Sequence, residues 1–226
     1  MSLRSQGGTP CALAVELNAI IRRENPAVWE MLSSLGRRLY FPKGILAQSA
    51  EAKAAAYKYD ATIGIARENG GPMHLPTVMS FFNDLAPAEV LTYAPATGQP
   101  ALRAAWHAHL LAENPSLQDA KISMPVVTSG VTHALSIVCD LFVDDGDFVL
   151  LPDKFWENYD LLFGVRVEAH LATYPFFGAT GGFNVEALRQ ALAGRPCDSK
   201  TLLVLNFPNN PTGYSVTTAE ATSEAV

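Results

Sequence analysis

From residue 125 onward, short apolar segments alternate with segments of helical periodicity, and this alternation constrains the fold more than any other feature. Strands are predicted at residues 125–128, 147–151, 165–171 and 201–206. Helices are predicted between them, at residues 131–142, 158–163 and 184–193. Such alternation is typical of an α/β domain with a largely parallel sheet covered on both faces. Because ligands bind beyond the carboxyl ends of parallel strands, chemistry is expected in the loops that follow them.

The chain before residue 125 is predicted to be mainly helical. Residues 1–60 have helical character, with a proline-glycine break at residues 42–44. A short buried strand is expected at residues 61–66 and a helix at residues 98–112. We therefore divide the chain into a helical N-terminal arm, residues 1–60, and a partial α/β domain, residues 61–226.

Composition excludes several classes of protein. With 49% hydrophobic and 17% charged residues, the 226-residue chain can bury a core, which argues against intrinsic disorder. The formal net charge of -6 gives no reason to expect nucleic acid or an anionic membrane as a partner. No apolar run is long enough for a membrane-spanning helix. Cys11, Cys139 and Cys197 lack metal-binding spacing and are interpreted as reduced, buried thiols of a cytoplasmic protein.

The segment after the strand at residues 125–128 has the features of a phosphate-binding turn. Ser129, Gly130 and Thr132 stand where a strand leads into a helix. A helix N-terminus offers unpaired N–H groups and the positive end of a dipole, both of which suit a phosphate. Gly130 allows a ligand close to the backbone, and the two hydroxyl groups add donors. The alternative is an ordinary strand-to-helix turn with a serine or threonine cap.

Two further segments at strand ends carry groups suited to a flat ligand. Trp156 can stack on a ring, although covering the sheet edge is the favoured interpretation of this segment alone. Residues 206–214 contain two prolines and a glycine that fix the backbone, and the Asn210–Pro211 bond is a candidate cis peptide. Such a turn would hold the Asn210 amide at a fixed point, and a purely structural turn is the alternative.

Other polar segments are given structural interpretations. Tyr93 and Gly98 belong to a loop before a helix, and alone they indicate nothing more. The acidic run at residues 144–147 is interpreted as a solvated turn, because no further cluster of metal ligands accompanies it. The five histidines form no zinc-binding or Ser-His-Asp pattern, so no metal site is expected.

Taken in order along one α/β chain, these four motifs resemble those of the class I and II aminotransferases, the fold type I pyridoxal-phosphate (PLP) enzymes. The Asn-Pro-Thr-Gly turn at residues 210–213 is the most specific, and the resemblance covers residues 61–214. It implies the three-layer large domain of PLP-dependent transferases, with a mostly parallel sheet, incomplete here, after a helical arm. It also implies a homodimer whose substrates are an amino acid and a 2-oxo acid.

The resemblance assigns roles to the residues that match it. The PLP phosphate would be held by Ser129, Gly130, Val131 and Thr132. Trp156 would stack on the pyridine ring, and Asn210 would donate a hydrogen bond to the phenolic oxygen of that ring. Tyr93 would reach the phosphate of the neighbouring subunit's cofactor. Gly64 would line the substrate carboxylate pocket, where Ala66 replaces a glycine found in many members.

Other residues that the family requires have no counterpart in the sequence. These are an aspartate for the pyridine nitrogen, a Schiff-base lysine in a Ser-x-x-Lys context, and a late arginine for the substrate carboxylate. The lysines lie in no such context and all precede the Asn-Pro-Thr-Gly turn: Lys43, Lys53, Lys58, Lys121, Lys154 and Lys200. The chain is therefore expected to end before the catalytic lysine, shortly after a helix capped by Thr217 or Thr218, and no catalytic base is assigned.

Alternative functions remain open at this level. A β-lyase or decarboxylase of fold type I would share the same cofactor-binding motifs, and a non-catalytic fragment is also compatible with them. A dinucleotide-binding oxidoreductase is disfavoured because the sequence has no G-x-G-x-x-G turn after a strand.

Overall fold

The structure is a computed structural model that describes residues 10–40, 45–58, 60, 62, 64–83, 85–195 and 200–222. It divides into two compact units. Unit 1 comprises Met1–Gly44 and Leu135–Val226, and unit 2 comprises Ile45–Ala134. Our division at residue 60 into an arm and an α/β domain stays a prediction. The predicted break at residues 42–44 and Cys197 lie outside the described residues.

The N-terminal arm of unit 1 is helical, as predicted. Its helices are α1 (Ala12–Glu24), α2 (Pro26–Met31) and α3 (Ser34–Arg38). Asn25 caps α2 by accepting the Val28 N–H, and Ser33 caps α3 by accepting the Gly36 N–H. These two caps divide the arm into short helices that fold back on one another.

Among its described residues, unit 2 contains helices and one very short hairpin. The helices are α4 (Ile45–Ala55), α5 (Pro76–Ser80), α6 (Pro87–Val90) and α7 (Pro100–Glu113), and a 3-10 turn follows at Pro115–Leu117. The hairpin pairs β1 (Arg67–Glu68) with β2 (Gly71–Pro72). The strand predicted at residues 61–66 is wrong at residues 62 and 64–66, which lie in no strand. Asn69 and Gly70, both with positive φ, instead turn the chain just after them.

The remainder of unit 1 alternates helices and strands. Its elements are α8 (Val131–Phe142, from Leu135 onward), β3 (Phe148–Pro152), a π-helix (Asp160–Arg166), β4 (His170–Tyr174), α9 (Val185–Ala193), β5 (Thr201–Leu203) and α10 (Thr218–Thr222). Strand β3 lies between β4 and β5 and runs parallel to both. The predicted parallel α/β architecture is therefore confirmed.

Helices cover both faces of this sheet. Strand β3 contributes buried side chains to each face, because its successive side chains point in opposite directions. Val149 and Leu151 pack with Cys139 of α8 and with Phe163 of the π-helix. Leu150, on the other face, packs with Leu188 of α9. Cys139 is buried, as predicted for the cysteines, whereas Cys11 is exposed, so its predicted burial is wrong. Burial raises the pKa of the Cys139 thiol to about 11.

Three strands predicted after residue 124 differ from the structure, and the one predicted at residues 201–206 already ends at Leu203. The strand predicted at residues 165–171 begins only at His170, because the π-helix continues to Arg166 and Glu168 has a left-handed φ of 58°. Residues 125–128 do not join either sheet described here; the Val127 N–H instead donates to the Thr97 carbonyl at 3.0 Å. A segment becomes a strand only when a neighbour pairs with its backbone.

An ion pair joins the arm to the π-helix region within unit 1. Arg38 Nη2 lies 2.7 Å from Glu168 Oε1, and the two side chains are only 10% and 21% exposed. Replacing Arg38 with alanine is expected to lower the free energy of unfolding by about 2 kcal/mol, because Glu168 would lose its arginine partner where little water reaches it. Urea unfolding measures the effect.

The matched control is Arg23→Ala, since Arg23 pairs with Glu24 at 2.8 Å but both side chains are mostly exposed, 72% and 65%. That substitution is expected to change stability by less than about 0.5 kcal/mol. Equal losses for the two variants would contradict the importance of burial at Arg38.

Candidate functional site

The predicted phosphate-binding turn lies in unit 2, at the beginning of α8. Gly130 has a φ of +112°, and a Cβ built there would meet nothing within 4 Å. The backbone at this position therefore requires glycine and leaves open space beside it. Thr128 donates its hydroxyl to the Gly130 carbonyl at 3.0 Å. Ser129, Val131 and Thr132 are exposed, as a ligand-binding turn requires.

His133 is a residue of this turn that sequence reasoning missed. Its Nδ1 accepts the Ser129 N–H at 3.1 Å, so the ring covers one of the amides assigned to a phosphate. This geometry places the donor hydrogen of the neutral ring on Nε2. The sequence carries a signal for this contact, because His133 lies four residues after Ser129, on the first turn of a predicted helix.

The Tyr93 loop also lies in unit 2. The Tyr93 side chain is fully exposed. Arg103 of α7 donates to the Thr97 hydroxyl at 3.0 Å and to the Pro125 carbonyl at 2.6 Å. Together with the Val127–Thr97 hydrogen bond, these contacts hold the loop against the segment that leads to the phosphate turn. Tyr93 and the turn are therefore built on one connected framework.

The segment predicted to line a carboxylate pocket is exposed in unit 2. Gly64 has open space where a Cβ would stand. Ala66 accepts the Met73 N–H at 2.8 Å and lines an open groove of about 460 Å³. The other lining residues are mainly apolar: Met73, His74, Leu75, Val78 and Met79. The role of Gly64 toward a carboxylate stays a prediction.

In unit 1, Trp156 lies in the loop after β3. The indole is half-buried and packs against the core beside α8, and its ring meets Tyr159 edge-on with 5.8 Å between centroids. Tyr159 is buried, and this burial raises its pKa. Buried neighbours on one side thus fix the orientation of Trp156 while part of the indole stays accessible.

The turn after β5 also lies in unit 1. The Asn210–Pro211 bond is cis, as predicted, and Phe207–Pro208 is a second cis bond. Asn210 is exposed, whereas its neighbour Asn209 is buried and donates to the Lys154 carbonyl at 3.1 Å. This hydrogen bond brings the Asn210 turn and the Trp156 loop together.

Glu220 of α10 stabilises the end of the same turn by accepting hydrogen bonds. Its carboxylate accepts the Tyr214 hydroxyl at 2.9 Å, the Phe183 N–H at 2.7 Å and the Thr217 N–H at 2.7 Å. The Thr217 amide contributes most to holding the pKa of Glu220 below its usual value. Thr217 accepts the Glu220 N–H in return, so the predicted helix cap at Thr217 is confirmed.

The acidic run at residues 144–147 has a structural role. Lys200 Nζ lies 3.1 Å from Asp144 and 2.8 Å from Asp147, and its hydrogen bond lowers the pKa of Asp147. In the described part of the chain, no group of three or more His, Cys, Asp or Glu side chains could hold a metal ion. A search of the same residues finds no helix with the length and apolarity to cross a membrane.

Comparison with known proteins gives consistent results. The family model described as aminotransferase class I and II matches residues 62–223. A probable aspartate/prephenate aminotransferase of Aquifex aeolicus is 34% identical over 125 residues, which are 54% of this chain and 29% of that protein. A probable N-succinyldiaminopimelate aminotransferase of Mycobacterium tuberculosis is 29% identical over 147 residues, which are 64% of this chain and 36% of that protein.

Solved structures show the same fold. The aspartate aminotransferase from Saccharomyces cerevisiae cytoplasm is 25% identical, with a TM-score of 0.66. The match covers 87% of this chain and 48% of the yeast chain. An aminotransferase from Anaerococcus prevotii, 19% identical, matches 97% of this chain and 48% of its own with a TM-score of 0.68. The chain thus spans about a third of the curated relatives and about half of the solved chains that it matches.

Proposed function

Because this chain belongs to the family of class I and class II aminotransferases, we propose that it contributes the cofactor-binding residues of a PLP-dependent aminotransferase. The proposed reaction moves an amino group between an amino acid and a 2-oxo acid. The main support for the proposal is Gly130, because its φ of +112° and the open space beside it suit close contact between the backbone and a phosphate. The complete protein is proposed to be a cytoplasmic homodimer, and the fully exposed Tyr93 supports a contact made outside its own subunit.

The chemical groups of the motif residues suit the groups of PLP that they would bind. The turn at Gly130 and the N-terminus of α8, a helix of 12 residues, offer backbone N–H groups to a phosphate, and Ser129 and Thr132 add hydroxyls. Trp156 presents a partly accessible indole to a flat ring. Asn210 presents an exposed amide at the turn. Anion donors, an aromatic surface and an amide donor are what a phosphorylated pyridine with a phenolic oxygen requires.

In the proposed mechanism, these residues would bind and orient the cofactor. PLP, when bound, would supply an electron sink for the loss of the α proton of a substrate amino acid. Ser129, Gly130, Val131 and Thr132 would anchor the phosphate end. The amide of Asn210 would donate to the phenolic oxygen, and Trp156 would stack on the ring. Together these contacts would limit the motion of the cofactor and so help to orient the substrate.

The activity is tested with the complete protein that contains this chain. It is expected to bind PLP and to release a 2-oxo acid from an amino acid only when a second 2-oxo acid, such as 2-oxoglutarate, is supplied as acceptor. A panel of amino acids read by mass spectrometry gives the substrate class. A protein that binds PLP but releases carbon dioxide or an eliminated group without an acceptor would instead be a decarboxylase or β-lyase.

Trp156→Ala is expected to weaken PLP binding by the complete protein about tenfold, because the ring loses its stacking surface. Trp156→Phe, which keeps an aromatic face, is expected to lose much less. Trp106→Ala is the control, since Trp106 lies half-exposed on α7 in unit 2. Equilibrium titration with PLP measures the three affinities. If Trp156→Ala leaves both the affinity and the cofactor spectrum unchanged, the stacking role is wrong.

A further inference from the structure

Asn209, next to Asn210, is a buried polar residue to which no family motif gave a role. It is only 3% exposed. Its side-chain oxygen accepts the Thr212 N–H at 3.2 Å and the Thr212 hydroxyl at 2.8 Å. Its side-chain nitrogen donates to the Lys154 carbonyl at 3.1 Å. The side chain therefore uses donor and acceptor at once, in opposite directions.

The backbone of Asn209 closes the turn that carries Asn210. The Asn209 N–H donates to the Tyr214 carbonyl at 2.8 Å, and the Gly213 N–H donates to the Asn209 carbonyl at 2.6 Å. With the two contacts to Thr212, Asn209 binds the far side of the turn by both backbone and side chain. The position of Asn210, one residue later, follows from that of Asn209.

The Lys154 carbonyl belongs to the loop after β3 that carries Trp156. Lys154 lies two residues before Trp156, and the loop is anchored on each side of it. The Asp153 N–H donates to the Tyr174 carbonyl at 2.7 Å, and the Tyr159 N–H donates to the Trp156 carbonyl at 3.0 Å. The hydrogen bond from Asn209 thus ties the Asn210 turn to an otherwise well-held loop.

We propose that Asn209 is a positioning residue that keeps Asn210 and Trp156 in register for the ring of PLP. The inference rests on the proposed function, since it presumes that these two residues contact the ring. An asparagine suits the position because the link to Lys154 needs a donor and the turn needs an acceptor. Aspartate has the same shape but cannot donate when ionised, and serine is too short to reach Lys154.

The test compares variants of the complete protein. Asn209→Asp removes the donor to Lys154 and keeps the acceptor for Thr212, and Asn209→Ser shortens the side chain without adding charge. Asn210→Ala serves as the reference for a lost ring contact. Asn25→Asp is the control for charge, because the exposed Asn25 caps α2 only as an acceptor. The readouts are the PLP dissociation constant and the pH midpoint of the absorption change of bound PLP.

Both Asn209 variants are expected to bind PLP about tenfold more weakly, as for the loss of one buried hydrogen bond. The midpoint is expected to move upward, in the direction that Asn210→Ala gives, because a misplaced amide stabilises the charged phenolic oxygen less. Asn25→Asp is expected to match the unmodified protein in both readouts.

Separate outcomes contradict the inference and the proposed function. Asn209 variants with unchanged affinity and midpoint, or with weaker affinity and an unchanged midpoint, would overturn the positioning role while leaving PLP binding intact. If Asn209→Asp fails to fold, the same two readouts on Asn209→Ser decide. An unmodified complete protein that does not bind PLP would overturn the proposed function itself.

Discussion

Replacing Phe176 with alanine is expected to lower the free energy of unfolding by about 4 kcal/mol, the typical cost of removing a fully buried aromatic ring. Phe176 is 1% exposed. Its ring lies at the centre of four others, with centroid distances from 4.8 to 6.2 Å: Phe177, Phe183, Tyr214 and Phe207. Most of these pairs meet edge-on, so the cavity left by alanine cannot close by a simple shift of one neighbour.

Phe177→Ala is the matched control for Phe176→Ala. Phe177 adjoins Phe176 in sequence and contacts Phe176 and Tyr214, but it is 39% exposed. Its loss is expected to cost about 1 kcal/mol, since water already reaches part of the ring. Urea unfolding followed by circular dichroism measures both variants. Similar losses would show that the cluster is not a packed core.

The aromatic cluster also supports the candidate site. Phe207 precedes the Asn210 turn and Tyr214 follows it, so both ends of the turn pack on Phe176. Asp153, the residue after β3, accepts the Phe176 N–H at 2.8 Å. A loss of packing at Phe176 is therefore expected to weaken PLP binding as well as stability.

Sequence periodicity was sufficient to predict the elements that are stabilised by contacts between residues close together in the sequence. The bounds predicted for α8 agree with the structure, and the helix predicted at residues 184–193 forms as α9, capped by Asn184, whose side chain accepts the Ala187 N–H. Both depend on apolar spacing and local hydrogen bonds. Periodicity failed at residues 165–169, where the chain is still in the π-helix up to Arg166 and then passes through the left-handed Glu168 before β4 begins.

The candidate site was predictable only for residues within a recognisable motif. Asn210 and Gly130 could be identified because a proline-rich turn and a glycine at a helix start are local signals. Asn209 could not, because its role depends on Lys154, which is 55 residues away in sequence. Nothing in the sequence distinguishes a buried asparagine with a distant partner from an exposed one. Residues that connect loops therefore had to be found in the structure.

Gly98→Ala is expected to cost about 3 kcal/mol for two separate reasons. Gly98 has a φ of +97°, where an L-residue is strained by about 1–2 kcal/mol. A Cβ there would also overlap the Cβ and Cγ2 atoms of Val127, which adds the cost of overpacking. Gly146→Ala is the control, because Gly146 has a φ of +83° but open space around it, and only the strain is expected.

The overlap at Gly98 cannot be relieved by rotating the Val127 side chain, because the Val127 Cβ is itself one of the overlapping atoms. The backbones must separate, and the Val127 N–H bond to Thr97 resists this at 3.0 Å. Gly98→Ala is therefore expected to disturb the framework shared by Tyr93 and the phosphate turn. PLP affinity should fall with stability for Gly98→Ala but not for Gly146→Ala, and equal unfolding free energies for the two variants would contradict the close approach.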